Sequence, residues 1–202
     1  DDLLRYLGSL GARAVIAATH GRPGPVHLNV PFRPPLEPTP VTGDCAEWPE
    51  ALQAHIPQVT LAAPLAPSAD QVRLLKELIE AHSHGLIVCG PDALDDGSDL
   101  LAFAQQAGYP VLADALSGLR FGAWADDALR LPHYESFLAG DDLPAPTLVL
   151  HLGSVPTSKQ LNRVLAGQPN ESLRVRIHPQ LHWQDDRFRT THFIQAGAAQ
   201  TT

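Results

Sequence analysis

From Ser68 onward, short apolar runs alternate with amphipathic segments, and this alternation limits the fold more than any other feature. Ser68 and Gln71 form a capping box ahead of a helix whose Val72, Leu75, Leu78 and Ile79 share one face. A strand is predicted at 85–89, closing on Gly90 and Pro91. Ser98 opens a helix through Leu100, Phe103, Ala104 and Ala107, which Gly108 ends, and 111–114 reads as the next strand. Pro132 suits the first turn of a short helix carrying Tyr134, Phe137 and Leu138, with Gly140 at its end. After an apolar strand at 148–152, Thr157 and Gln160 form a second capping box, opening a helix with Leu161, Val164 and Leu165 that stops at Gly167. Strands at 173–177 and 192–195 complete the set. Apolar strands alternating with helices predict an α/β fold: a Rossmann-like parallel sheet of about five or six strands with helices on both faces.

The first third of the chain is built differently. Residues 3–19 are rich in Leu and Ala and predict helix interrupted near Gly8 and Gly11. Val26, Leu28 and Val30 alternate with His27 and Asn29 between Pro25 and Pro31, the period of a short strand. A helix and one strand are too small to fold alone, so they are expected to end a preceding domain. Between Pro31 and Pro67 the prolines are densest, which excludes a long helix or a central strand over most of that stretch. The expected organisation is a domain tail at 1–34, a Pro-rich linker at 35–66 and a central domain at 67–202. The chain begins at Asp1 and contains no methionine, which suggests an internal piece of a longer polypeptide.

The net charge of −8 and the scattered basic residues give no footprint for nucleic acid or an anionic membrane. No apolar run approaches the roughly 20 residues of a membrane span, so a cytoplasmic protein is expected. Cys45 and Cys89 lie far apart in different contexts and support neither a disulfide framework nor a CxxC motif.

In an open α/β sheet, ligands bind beyond the carboxyl ends of the strands, where helix N-termini direct free N–H groups outward. The turn after 148–152 falls there and carries Ser158 and Lys159. An anion at that helix start would meet backbone N–H groups, the Ser158 hydroxyl and the Lys159 ammonium. Lys159 is one of two lysines against twelve arginines. The competing reading has Thr157 only capping the helix and Lys159 solvated. Arg120, in the loop after 111–114, is a second candidate anion contact; its plainer reading is a pairing with Asp114 or Asp126. GxGxxG and GxxxxGK[ST] are both missing, which argues against nucleotide binding. The pairs His82/His84 and His178/His182 lack clustered carboxylates or thiolates and read as surface histidines. Asp95-Asp96, Asp126-Asp127, Asp141-Asp142 and Asp185-Asp186 read as caps and solvated turns, and no GxSxG elbow occurs.

The segment Gly24-Pro25-Val26-His27-Leu28-Asn29-Val30-Pro31-Phe32-Arg33, with Pro35-Leu36-Glu37-Pro38, resembles the close of the pyrimidine-binding domain of 2-succinyl-5-enolpyruvyl-6-hydroxy-3-cyclohexene-1-carboxylate synthases. Those are thiamine-diphosphate enzymes of the menaquinone pathway. Residues 85–91, 110–120 and 152–159 resemble the same family in order and spacing. Gln160 stands where some members place an arginine, which bears on one substrate contact, and Pro34 where Glu is common.

The resemblance implies an intact enzyme that uses thiamine diphosphate with Mg or Mn. Its cofactor ylide would attack 2-oxoglutarate, carbon dioxide would leave, and the carbanion would add to isochorismate. It also implies an active site between subunits, hence a homodimer or homotetramer, and a substrate-binding role for Lys159 beside Ser158. The Gly-Asp-Gly motif that holds diphosphate and metal is not in these residues, so this chain alone is expected to bind no cofactor and to be inactive. Two alternatives stand beside this reading: another thiamine-diphosphate decarboxylase or carboligase, and a central-domain module that binds a small anionic regulator.

Overall fold

A computed structural model describes residues 2–21, 23–34, 36–37, 48–93, 97–121, 129–140, 144–180, 183–185, 187–198 and 200–202, with only the backbone at 48 and 49. Cys45, Asp126 and the strings Asp95-Asp96, Asp141-Asp142 and Leu181-His182 lie outside the described residues. The chain forms two units, 1–62 and 63–202.

The first unit holds α1 (Asp2–Thr19) and α2 (Trp48–Gln53). Helix α1 runs without the interruption expected at Gly8 and Gly11. Gly8 instead serves contact: a Cβ there would sit 2.7 Å from the His55 carbonyl oxygen, so only glycine lets the segment after α2 approach. The strand expected at 26–30 does not form, and Val26, Leu28 and Val30 are exposed. Alternation supplies one face of a strand, but a ladder also needs a neighbour, and the described residues of this unit contain none. The proline-dense stretch, expected as a linker, contains α2, whose proline falls in the first turn, where no intrahelical N–H bond is lost.

The second unit is a six-stranded, wholly parallel sheet with helices on both faces. Its elements are α3 (Ala69–Ala81), β1 (Gly85–Cys89), α4 (Ser98–Ala107), β2 (Val111–Ala113), β3 (Arg130–Leu131), α5 (Glu135–Leu138), β4 (Leu148–Leu152), α6 (Lys159–Ala166), β5 (Leu173–Ile177) and β6 (His192–Ile194). Strand order is β3-β2-β1-β4-β5-β6. The chain works outward from β1 to β3, then returns to place β4 against β1 in five-residue register, Gly85 opposite Leu148 through Cys89 opposite Leu152. This is the doubly wound order, with its reversal between β1 and β4. Helix α3 carries the expected capping box, with the Ser68 N–H donating to Gln71 Oε1 at 2.8 Å. Gly108 closes α4 in the left-handed region at φ 69°.

Because successive strand residues face opposite sides, the sheet has two distinct cores. Ile87, Cys89, Val111, Leu148, Leu150, Val175 and Ile177 meet Leu75 of α3 and Leu100, Leu101 and Ala104 of α4. Leu86, Val88, Leu112 and Val149 meet Tyr134, Leu138 of α5, and Leu161 and Leu165 of α6. Among the described residues no helix is long and apolar enough to cross a membrane.

Candidate functional site

In a parallel sheet the loops leaving the strands gather at one edge, and ligands are drawn to the crevice where the winding reverses. Here that crevice is filled by the chain itself. The Ser154 N–H donates to the Pro91 carbonyl at 2.8 Å, and the Gly90 N–H to Leu152 at 2.9 Å. A Cβ at Gly90 would collide with the Ser154 carbonyl oxygen, and one at Gly153 (φ 76°) would lie 2.5 Å from that of Pro91. Two glycines thus serve loop against loop rather than backbone against phosphate.

The Ser158–Lys159 turn stands next to this junction. Its holder is Asp114, wholly buried just past β2. One carboxylate oxygen accepts the Leu116 N–H at 3.0 Å; the other accepts the Thr157 N–H at 2.7 Å and the Thr157 hydroxyl at 2.8 Å. Thr157 is therefore engaged sideways and does not cap the helix. The expected Thr157/Gln160 capping box is replaced by a cap one residue later, where the buried Ser158 hydroxyl accepts the Leu161 N–H at 3.1 Å. Ser158 spends its hydroxyl on the helix, whereas Lys159, the first helical residue, is exposed. The first-turn N–H groups of Lys159 and Gln160 point out of α6, by helix geometry.

Arg120 reaches the same edge. It does not pair with Asp114, whose carboxylate is engaged elsewhere; its guanidinium lies 5.8 Å from the centre of the Tyr134 ring. The Arg130 guanidinium holds the backbone of this loop, donating to the carbonyls of Leu119 at 3.1 Å and Arg120 at 2.6 Å. Tyr134 is wholly buried, and its hydroxyl has no hydrogen bond of ordinary geometry. Burial raises its pKa, and the Asp114 charge adds to the rise while Arg120 and the Ser158 side chain oppose it. Tyr134 is thus the shared neighbour of Arg120 and Ser158, two residues 38 positions apart in sequence.

A cleft of about 750 Å³ opens beside Lys159, between α6, the Arg174–Arg176 face of β5 and the segment after it. Lys159, Arg163, Arg174, Arg176 and Arg187 line it against one carboxylate among the described residues, Asp185. Its floor is unusual for a sheet. Arg176 is 2% exposed, donates to the Gln184 carbonyl, and keeps a buried Nε without a partner. Burial lowers its pKa, and Asp185 opposes the fall. His151 is buried beside it, with Nε2 3.1 Å from the Ser154 carbonyl oxygen. Burial and then the Arg176 charge push its pKa down to about 3, so the ring is neutral at ordinary pH. Burial alone would raise Asp185, but the backbone N–H groups of Thr190 and Arg189 outweigh it and hold the carboxyl below its usual range.

Two sequence readings change here. Asp185 is not a solvated turn residue, since it is buried and accepts the Thr190 N–H at 2.6 Å. His178 is buried rather than at the surface, because its Nδ1 closes the turn to Gln180. Among the described residues no group of three or more His, Cys, Asp or Glu could hold a metal ion. Tyr134 and Thr157 are not among the site residues expected from sequence, and Asp114 is expected there only as a partner for Arg120. An aspartate directly after a strand, with a threonine preceding a helix start, was the available signal.

Strand order and parallel pairing define a doubly wound α/β domain with a lysine-bearing turn at its carboxyl edge. No protein-family model matches the chain. It is 41% identical over 204 residues to the 2-succinyl-5-enolpyruvyl-6-hydroxy-3-cyclohexene-1-carboxylate synthase of Roseiflexus sp. (strain RS-1), covering 96% of this chain and 34% of the relative. The synthase of the same name from Roseiflexus castenholzii is 40% identical over 97% of the chain, and that from Haloquadratum walsbyi 35% over 98%. The similarity runs over 96–98% of the chain, which spans about a third of the length of these relatives. An X-ray structure from Mycobacterium smegmatis, of an enzyme described as thiamin diphosphate-dependent, overlaps 72% of this chain and 29% of its own at 19% identity and a TM-score of 0.47, too slight a likeness to argue from.

Proposed function

We propose that this chain is the middle part of a thiamine-diphosphate-dependent synthase that decarboxylates 2-oxoglutarate and adds the remaining four-carbon unit to isochorismate in menaquinone biosynthesis. The observation that carries this is 41% identity across 96% of the chain to a synthase of that name. On this reading residues 1–34 end the pyrimidine-binding domain, 35–66 link, and 67–202 form the central domain of a cytoplasmic homodimer or homotetramer that uses Mg or Mn.

The residues of this chain do not fit thiamine diphosphate. No Gly-Asp-Gly occurs in the sequence, and the crevice at the winding reversal is filled by the loops at Pro91 and Ser154. Cofactor binding belongs to the rest of the intact enzyme. What this chain offers is charge placement. Both substrates are polycarboxylates, and desolvating a carboxylate requires cations or N–H donors set in advance. Lys159 presents an ammonium at the start of α6, backed by the helix dipole, and Arg120 presents a guanidinium from the neighbouring loop. Ser158 acts on the turn, through its cap, rather than on the substrate.

The test is an assay of the full-length polypeptide that carries this chain, given thiamine diphosphate, Mg²⁺, 2-oxoglutarate and isochorismate. Carbon dioxide release coupled to isochorismate consumption is the expected result. Release that ignores isochorismate would move the chain to another decarboxylase.

A further inference from the structure

Asp114 is wholly buried at the carboxyl edge, and its two oxygens serve two different loops. One oxygen anchors Leu116 in the loop that leads to Arg120. The other takes both donors of Thr157, the residue before the α6 cap. Strand β1 lies between β2 and β4, so the carboxylate reaches across the end of an intervening strand. Its own carbonyl also accepts the Ser117 N–H and hydroxyl, at 3.1 and 2.7 Å. A single side chain thereby fixes the bases of both loops that carry candidate anion contacts.

We propose that Asp114 is a positioning residue for substrate binding: through Thr157 it sets where α6 begins and where Lys159 points, and through Leu116 it holds the loop of Arg120 in step with it. The inference rests on the substrate reading of Lys159 given above. Its chemistry is specific. Each carboxylate oxygen accepts, so a carboxylate satisfies both loops at once. The isosteric amide has one acceptor and one donor end; whichever way it is turned, an NH₂ meets either the Leu116 N–H or the Thr157 N–H, and one loop is released. The hydrogen bond from the Thr157 hydroxyl is separable from that of its backbone.

In the full-length synthase, Asp114→Asn is expected to raise KM for isochorismate about tenfold with little change in kcat, since the loss is of preset binding geometry. Thr157→Val, which removes one donor, should raise KM less, and Thr157→Ser, which keeps both, should restore it. A merely structural role for Asp114 would lower the thermal midpoint and leave KM in place. Lys159→Ala is the reference. If it raises KM while Asp114→Asn and Thr157→Val do not, the positioning inference is overturned alone; if Lys159→Ala is itself silent, the substrate reading falls and takes this inference with it. Should Asp114→Asn fail to fold, Thr157→Val against Thr157→Ser decides the matter.

Discussion

The two faces of the sheet are built from the same strands and do different work. Toward α3 and α4, the buried residues of β1, β4 and β5 are all apolar: Ile87, Cys89, Leu148, Leu150, Leu152, Val175 and Ile177. Toward α5 and α6 the pattern changes partway across. Leu86, Val88 and Val149 are apolar, and then His151, Arg174 and Arg176 occupy the next positions. No helix occurs among the described residues between β5 and β6, so this end of the face borders the cleft. Burial of hydrocarbon is non-directional and stabilises, whereas a buried guanidinium or imidazole stabilises only when its partners are in place. One face therefore holds the fold, and the other holds charge near the Lys159 turn.

The largest expected effect lies on the apolar face. Leu150→Ala should lose about 2–5 kcal/mol of stability, read as a lower denaturant midpoint, because its site is fully buried between β1, β5 and the helices. A loss near that of an exposed leucine would erase the contrast between the faces.

The polar face should reveal itself through pH. His151 binds a proton in the folded chain only near pH 3, and in the unfolded chain near its ordinary value of about 6.5. Between those values the unfolded state binds more protons, so stability is unpenalised above about 6.5 and declines as pH falls toward 3, by up to about 1.4 kcal/mol per pH unit. Replacing His151 with Gln should flatten that slope over this window in urea titrations at several pH values. An unchanged slope would show that other groups dominate it.

The smallest effect is expected on neither face. Asp70 and Arg73 pair at 2.5 Å on the exposed side of α3, and Asp70→Asn should change stability by less than about 0.5 kcal/mol, and less again in high salt.

What the sequence discloses follows the same division. Strands β1, β4 and β5 are visible as apolar runs because one apolar core or another claims most of their residues, and their bounds match at both ends. Strand β3 escapes notice because two residues carry no periodicity; Arg130 and Leu131 become a strand only by pairing with Val111 and Leu112. The segment at 26–30 fails in the opposite way, since its alternation is genuine and its partner is missing from the described residues. At the site, Lys159 is legible from its place after a strand. Which of Thr157 and Ser158 caps α6 is not legible, because both residues suit the role and the choice is made by Asp114, 43 residues away in sequence. The cleft was hidden for a related reason: Arg174 and Arg176 read as part of a strand, and only the missing helix cover turns their face into a cationic floor.

The proposed role of Lys159 is to present its charge to a substrate acid without helping to hold the fold. Steady-state kinetics of Lys159→Ala in the full-length polypeptide that carries this chain, assayed for the proposed synthase activity, check this. The expected result is a KM for isochorismate raised at least about tenfold, the loss of one charge-assisted contact, with the thermal midpoint essentially unmoved. An unchanged KM, or a KM that rises only together with a collapse in thermal stability, would contradict it.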